Sequence, residues 1–470
     1  MSKILAKEIF SQKTEENKFK VLLEGDLNLT SAGVKQQNSY QKNLLPDNST
    51  KNYLNDNYNF VGDSEVNLRF EVESKNKTKT SLNANFQGNA DINKRKRNPY
   101  LDQIFIAQKN RLGRFEIGNT KPANQQMKYD PASFARGAGG VRGKYLEHVN
   151  LPILADFNNS ALGVCQNNIG DPSCANVKVP SFIMLSQSPI GHGGYAKSSN
   201  AKFSDNNISG TDLNNNFSKN NLRSINDDSF EGAEDATKIS YFSPDLAGFK
   251  FGLSYTPNSQ DNGITKNVAA WQNNAEIHDV FSVGLNYVHY LDNGALIAFS
   301  STAEKGNSVT NNRADLLAYD FAINLNYFGF DVGFSYGIWQ DYGQSKSGIY
   351  SCPYNSSLNL NDQNCSINTS KFNNPYYFSS GIAYKFGPVG ASITSLNSNF
   401  QNNKFSSLSF GLDYKLKKYL MPYFEVTKFT FKSAQPKASS IYNQNYISSD
   451  LRQVRDNDGL IFLTGISYSF

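Results

Sequence analysis

The sequence predicts an all-β fold, a transmembrane antiparallel β-barrel of sixteen strands, and three observations carry that expectation. Apolar and polar residues alternate with a period of two from residue 18 to the last residue. The connections between these alternating segments are short and long in turn. The final segment, Gly459 to Phe470, places Leu460, Phe462, Thr464, Ile466, Tyr468 and Phe470 on one face and stops on an aromatic ring. Successive side chains of a strand point to opposite faces, so alternation of this kind gives a sheet one greasy and one wet surface.

The segments follow one another along the chain. From Lys18 to Thr30, Phe19, Val21, Leu23, Leu27 and Leu29 alternate with Lys20, Glu24, Asp26 and Asn28. Val66, Leu68, Phe70 and Val72 do the same against Asn67, Arg69, Glu71 and Glu73. The pattern recurs in Leu82-Ala84-Phe86, Phe249-Phe251-Leu253-Tyr255, Phe281-Val283-Leu285-Tyr287, Phe321-Ile323-Leu325-Tyr327, Phe330-Val332-Phe334-Tyr336 and Leu408-Phe410-Leu412-Tyr414. A soluble sandwich would also alternate, so the opposite face decides. It is small, amide-bearing or charged, as in Asn83, Asn85 and Gln87 or Asp320, Asn324 and Asn326, which suits lipid outside and water inside.

Tight turns are expected at 75–79, 109–113, 243–248, 291–294, 328–329, 387–388 and 417–419. Between them lie polar loops at about 31–62, 90–98, 120–234, 258–276, 305–315, 342–373, 398–404 and 433–457. Short periplasmic turns on one rim and long extracellular loops on the other mark a membrane barrel, and this count of connections gives sixteen strands. Sixteen strands enclose an aqueous channel rather than a packed core. Residues 1–17 are set apart as an N-terminal periplasmic segment and 18–470 as the barrel.

Composition narrows the function classes. Mean hydropathy is −0.53, yet the 470 residues hold 26 Tyr and 33 Phe. No stretch of about 18 apolar residues exists, which excludes a transmembrane helix but not a barrel. The net charge of +5 is dispersed, and Lys94-Arg95-Lys96-Arg97 is a solvated loop rather than a nucleic-acid patch. The N-terminus carries no apolar signal region, so the chain reads as a mature one whose leader is removed. Cys165 with Cys174 and Cys352 with Cys365 suit disulfide-closed loops in an oxidising compartment; free thiols and a metal site are the alternatives. Neither pair has the close spacing zinc favours. His148, His192, His278 and His289 are scattered, and no nucleophile pairs with them, so no catalytic site, metal site or cofactor is expected. Gly137-Ala138-Gly139-Gly140 lacks the Lys-Ser/Thr of a phosphate loop and reads as flexible chain. Tyr255, Tyr287, Tyr290, Tyr327, Tyr384, Tyr414 and Tyr468 fit interfacial girdles at strand ends.

Four segments carry a resemblance. LDQIFIAQKNRLGRFEIGNT (101–120), ATKISYFSPDLAGFKFGLSY (236–255), LMPYFEVTKF (420–429) and the terminal GISYSF are similar, in this order, to two strand pairs, the penultimate aromatic strand and the aromatic-ended last strand of the general, non-specific trimeric porins of Gram-negative outer membranes. The resemblance covers the barrel framework and not the loops. It implies a homotrimer in contact with outer-membrane lipid and lipopolysaccharide, passing ions and small hydrophilic solutes by passive diffusion, with no nucleic-acid partner. It also implies that the third loop, about 120–234, folds into the lumen. Its first part, 121–144, would be the constriction. There Asp130 is the one acid before Glu147, against Arg136, Arg142 and Lys144, where the family commonly clusters carboxylates; that basic balance implies anion preference.

Parity adds lumen-facing charges: Arg69 and Glu71, Arg114 and Glu116 beside the constriction loop, and Lys250, Asp320, Asp331, Lys385 and Asp413. Each is either a selectivity-setting charge or a solvated wall position. Two rival functions stay open: a substrate-selective outer-membrane channel, and a surface-exposed, adhesin-like barrel built around the long loops.

Overall fold

The computed structural model describes residues 7–14, 17–37, 57–91, 100–148, 236–258, 277–308, 315–340, 374–400, 403–417, 419–432 and 456–470, with short strand pieces at 156–157, 177–178, 349–351 and 366–368. Sixteen strands form the wall: β1 (Asn17–Gln36), β2 (Tyr58–Ser74), β3 (Lys79–Asp91), β4 (Tyr100–Asn110), β5 (Gly113–Asn119), β6 (Thr237–Phe242), β7 (Phe249–Asn258) and β8 (Ile277–Tyr290). The second half is β9 (Leu296–Ser308), β10 (Leu316–Tyr327), β11 (Phe330–Trp339), β12 (Tyr376–Phe386), β13 (Val389–Phe400), β14 (Asn403–Tyr414), β15 (Leu420–Lys432) and β16 (Asn457–Ser469). Each pairs antiparallel with the next, and β16 returns to β1 with Leu29 opposite Ile466. Closure leaves the barrel no sheet edge, so backbone N–H and C=O groups in the hydrocarbon region find their partners within the wall.

The tight-turn rim shows why the chain reverses there. At Phe328-Gly329 both residues have positive φ, 47° and 81°, the twist that matches a two-residue hairpin. On the opposite rim the connection expected at 398–404 is largely strand, because β13 runs to Phe400 and β14 starts at Asn403.

Residues 7–13 add one further strand, so the sheet holds seventeen. This N-terminal strand pairs with the first turn-side residues of β1, Phe10 opposite Val21 and Lys13 opposite Lys18. It takes the place beside β1 that β16 vacates where Phe470 bonds Gly25 through both backbone groups, at 2.9 and 3.0 Å. Residues 7–13 of the segment set apart in the sequence reading thus pair with the wall.

Side chains sort by parity. On β10, Phe321, Ile323 and Leu325 face outward and are exposed, while Asp320 and Ala322 face inward and are buried. Outward aromatic neighbours pack at tilted angles across strands near the rims: Phe249 with Tyr287 and Phe330 with Tyr384 at 4.3 Å, Tyr255 with Phe281 at 4.9 Å, the placement that amphipathic rings take at a membrane interface. The inner face is not uniformly wet. Phe405, Phe429, Phe431, Ile461 and Leu463 are buried inside the barrel, where Val141 and Tyr145 join them in one apolar cluster.

Candidate functional site

The site is the lumen and the segment that narrows it, Thr120 to His148. The segment starts from β5 and is pinned to the inner wall at one strand after another. It opens with a single helical turn, α1 (Ala123–Gln126). The Ala123 N–H donates to Ser254 Oγ on β7 at 2.7 Å. Met127 then seats where β7 and β8 carry no side chain: a Cβ at Gly252 would lie 2.5 Å from Met127 Sδ, and one at Gly284 2.7 Å from Met127 Cβ. The Tyr129 N–H donates to Ser300 Oγ on β9 at 3.0 Å.

The deepest tether follows. Lys128 Nζ lies 2.9 Å from Asp320 Oδ2 on β10, with side-chain exposures of 4% and 0%. The same ammonium donates to Tyr377 Oη on β12 and sits 4.5 Å from the centre of that ring. Tyr377 Oη in turn donates to Asp320. A buried carboxylate is tolerable only when paired and hydrogen-bonded, and here it is both.

Beyond it, Asp130 caps a 3-10 turn, Pro131–Phe134, by accepting from the Ala132 N–H at 2.8 Å. That turn rests on Gly333 and Gly381, whose missing Cβ atoms leave room for the Phe134 ring and for Pro131. Arg136 pairs with Asp413 on β14. The Gly140 N–H donates to Glu425 Oε2 on β15 at 3.1 Å and the Val141 N–H to Thr394 Oγ1 on β13 at 3.2 Å. Lys144 pairs with Asp63 and His148 bonds Asn59, both on β2. Burial, reinforced by the Lys144 ammonium, lowers the His148 imidazole to about 3, so it stays neutral at physiological pH. Burial likewise raises the Tyr129 and Tyr145 phenols.

The charges expected from parity therefore have definite places. Arg114 lies 3.1 Å from Glu116, and Gln126 of the loop bridges them, accepting from Arg114 at 2.7 Å and donating to Glu116 at 2.9 Å. Arg69 donates to Asn83 at 3.0 Å and faces Glu24 at 3.8 Å, and Glu71 pairs with Lys79 at 3.2 Å. Toward the turn rim, Lys385 lies 2.6 Å from Asp331 and Lys250 lies 3.5 Å from Asp245. The backbone of Arg142 belongs to the 3-10 turn Gly140–Arg142, but its side chain, like Cys165, Cys174, Cys352 and Cys365, lies outside the described residues. The wall of β1–β4 carries a cavity of about 260 Å³, with Glu24, Glu65, Arg69, Asn85 and Lys121 among its lining.

Sequence reasoning missed Lys128, Tyr377, Thr394, Glu425 and the lumen glycines. Glu425 had a signal, being a lone carboxylate in the aromatic strand LMPYFEVTKF. The glycines had none, since a socket exists only once the loop is folded onto it.

A family model described as Gram-negative porin matches residues 184–434. Curated relatives include an uncharacterized protein of Rickettsia typhi, 25% identical over 279 residues, and one of Rickettsia prowazekii, 26% identical over 270 residues. Each of these matches covers 49% of this chain and 57% of the relative, so the chain spans little more than half the length of these relatives. An uncharacterized protein of Rickettsia bellii is 24% identical over 412 residues, covering 76% of this chain and 74% of its own. Among solved structures, an anion-selective porin from Comamonas acidovorans superposes with a TM-score of 0.52 over 96% of this chain and 100% of its own, at 10% identity. At that identity the likeness is one of fold.

Proposed function

Because the chain belongs to the Gram-negative porin family, we propose that it forms a water-filled channel in the outer membrane for passive diffusion of ions and small hydrophilic solutes. The observation that carries this reading is a closed sixteen-stranded wall with residues 120–148 of the third loop held against its inner face by side chains of many strands. A barrel of this strand number is too wide to be filled by its own side chains. The loop narrows it, and a polar cavity persists beside β1–β4.

In this reading the 120–148 segment is the constriction. Its bases Arg136 and Lys144 act as tethers to wall carboxylates, and Asp130 shapes the turn between them. The Arg114–Glu116 pair fixes the loop's entry. Arg69 and Glu71 line the wall that solutes pass, and Arg142 belongs to the same segment. The protein assembles as a homotrimer embedded in lipid and lipopolysaccharide, and the cysteines close two loops as Cys165–Cys174 and Cys352–Cys365.

Proteoliposome swelling tests the channel. Liposomes carrying the protein should swell in isosmotic small sugars and progressively less as solute size rises; size-independent impermeability would defeat the reading. A heat-modifiable shift from oligomer to monomer on a denaturing gel tests the trimer, and alkylation before and after reduction, read by mass, tests the cysteine pairs.

A further inference from the structure

Three of the bases that the loop carries into the lumen are each committed to a wall carboxylate. Lys128 lies on Asp320, Arg136 on Asp413 and Lys144 on Asp63. Arg114 at the loop's entry is likewise on Glu116. These pairs hold the loop in place, but in sum they present no net charge to a passing ion. Three of the constriction segment's bases are thus neutralised by the carboxylates that tether them.

The wall of β1–β4 differs. Its cavity is lined by β1–β4. Glu24 and Glu65 face it with one base of their own strands, Arg69. Arg69 is 40% exposed and its contact with Glu24 is long, at 3.8 Å. Glu65 is held by amide donors instead, from Asn67 at 3.2 Å and from Asn85. Amides fix the direction of a carboxylate without cancelling its charge. Asp102 and Lys121, also on the cavity, balance one another in sign.

We propose that ion selectivity is set by Glu24 and Glu65 on this wall rather than by the constriction loop, and that the channel favours small cations. The proposal rests on the reading of the chain as a pore and reverses the anion preference that the loop's composition implies. One net carboxylate about 4 Å from the ion path in a wet lumen enriches a monovalent cation by about fivefold, the equivalent of about 1 kcal/mol, and depletes a monovalent anion by as much. The preference should shrink as salt rises and the screening length falls to about 3 Å at 1 M.

Reversal potentials under a tenfold KCl gradient across a planar bilayer test this with the full-length protein. The wild type should pass potassium over chloride by about fivefold or more at the dilute end. Glu65→Gln and Glu24→Gln should each lower that ratio, the double variant should bring it to one or below, and Arg69→Gln should raise it. Conducting variants report their own folding. Chloride preference in the wild type would overturn the inference and leave the pore standing. So would a potassium preference unmoved by both glutamine variants. Absence of any conductance from folded protein would overturn the pore itself.

Discussion

Lys128→Met tests whether the loop is held by its buried ion pair. The substitution keeps the length of the side chain and removes the ammonium. With Lys128 at 4% exposure and Asp320 at 0%, the variant strands a carboxylate in a dry contact. Removing one partner of a buried pair costs about 3–5 kcal/mol, and the cation over the Tyr377 ring adds about 0.5–2 kcal/mol. The neighbouring tethers, from Ala123 to Ser254 and from Tyr129 to Ser300, are neutral hydrogen bonds worth about 1 kcal/mol each. The loss exceeds what remains along this stretch, so the undocked population of the loop should rise by about a hundredfold or more. Single-channel recording at fixed voltage should show a steady level for the wild type and flicker between levels for Lys128→Met. Lys128→Met combined with Asp320→Leu removes both charges and should restore much of the steadiness. A single variant as quiet as the wild type, with unchanged heat-modifiability, would refute the tether.

Three further outcomes are expected. Gly25→Val puts its Cβ 2.1 Å from the Phe470 ring at the closing seam; overpacking of this kind costs about 1–3 kcal/mol, so the folded band on a gel should lose its heat resistance at lower temperature, and an unchanged transition would count against the seam. Gly284→Leu fills the socket under Met127 and should alter the unitary conductance while leaving the barrel folded; unaltered conductance would mean the loop does not rest there. His148, buried against Asn59 and beside the Lys144–Asp63 pair, stays neutral down to about 3. When undocked it takes up a proton near its ordinary value of about 6.5, so docking is fully stable above that pH and weakens as pH falls toward 3, by up to about 1.4 kcal/mol per unit. Flicker should therefore grow between pH 6.5 and 4 and be reduced in His148→Gln; an identical acid response in that variant would exclude the histidine.

The framework was legible because a barrel wall imposes a local rule, alternation, on each strand separately. Phe321, Ile323 and Leu325 announce their outward face without reference to any neighbour. Where the rule is broken, the sequence misleads. The N-terminal strand holds Ile9 and Phe10 side by side, and its register shifts between Glu8 and Phe10, so no period of two is visible. Leu460 to Leu463 is apolar on both faces because its inner face packs in the same apolar cluster as Val141 and Tyr145. The segment lying against the inner wall was legible in position, but its ion pairs were not. Arg136 and Lys144 stand out as bases, yet their partners Asp413 and Asp63 lie 277 and 81 residues away, brought within reach only by closure. Reading the bases as free charge followed from seeing one side of each pair.

Planar-bilayer recording of the purified, folded protein tests the central claim most directly. A water-filled lumen should give stable, ohmic unitary currents that scale with the conductivity of the bathing salt and fall when polymers small enough to enter the lumen are added. Folded protein that inserts into the bilayer and carries no current would contradict the account.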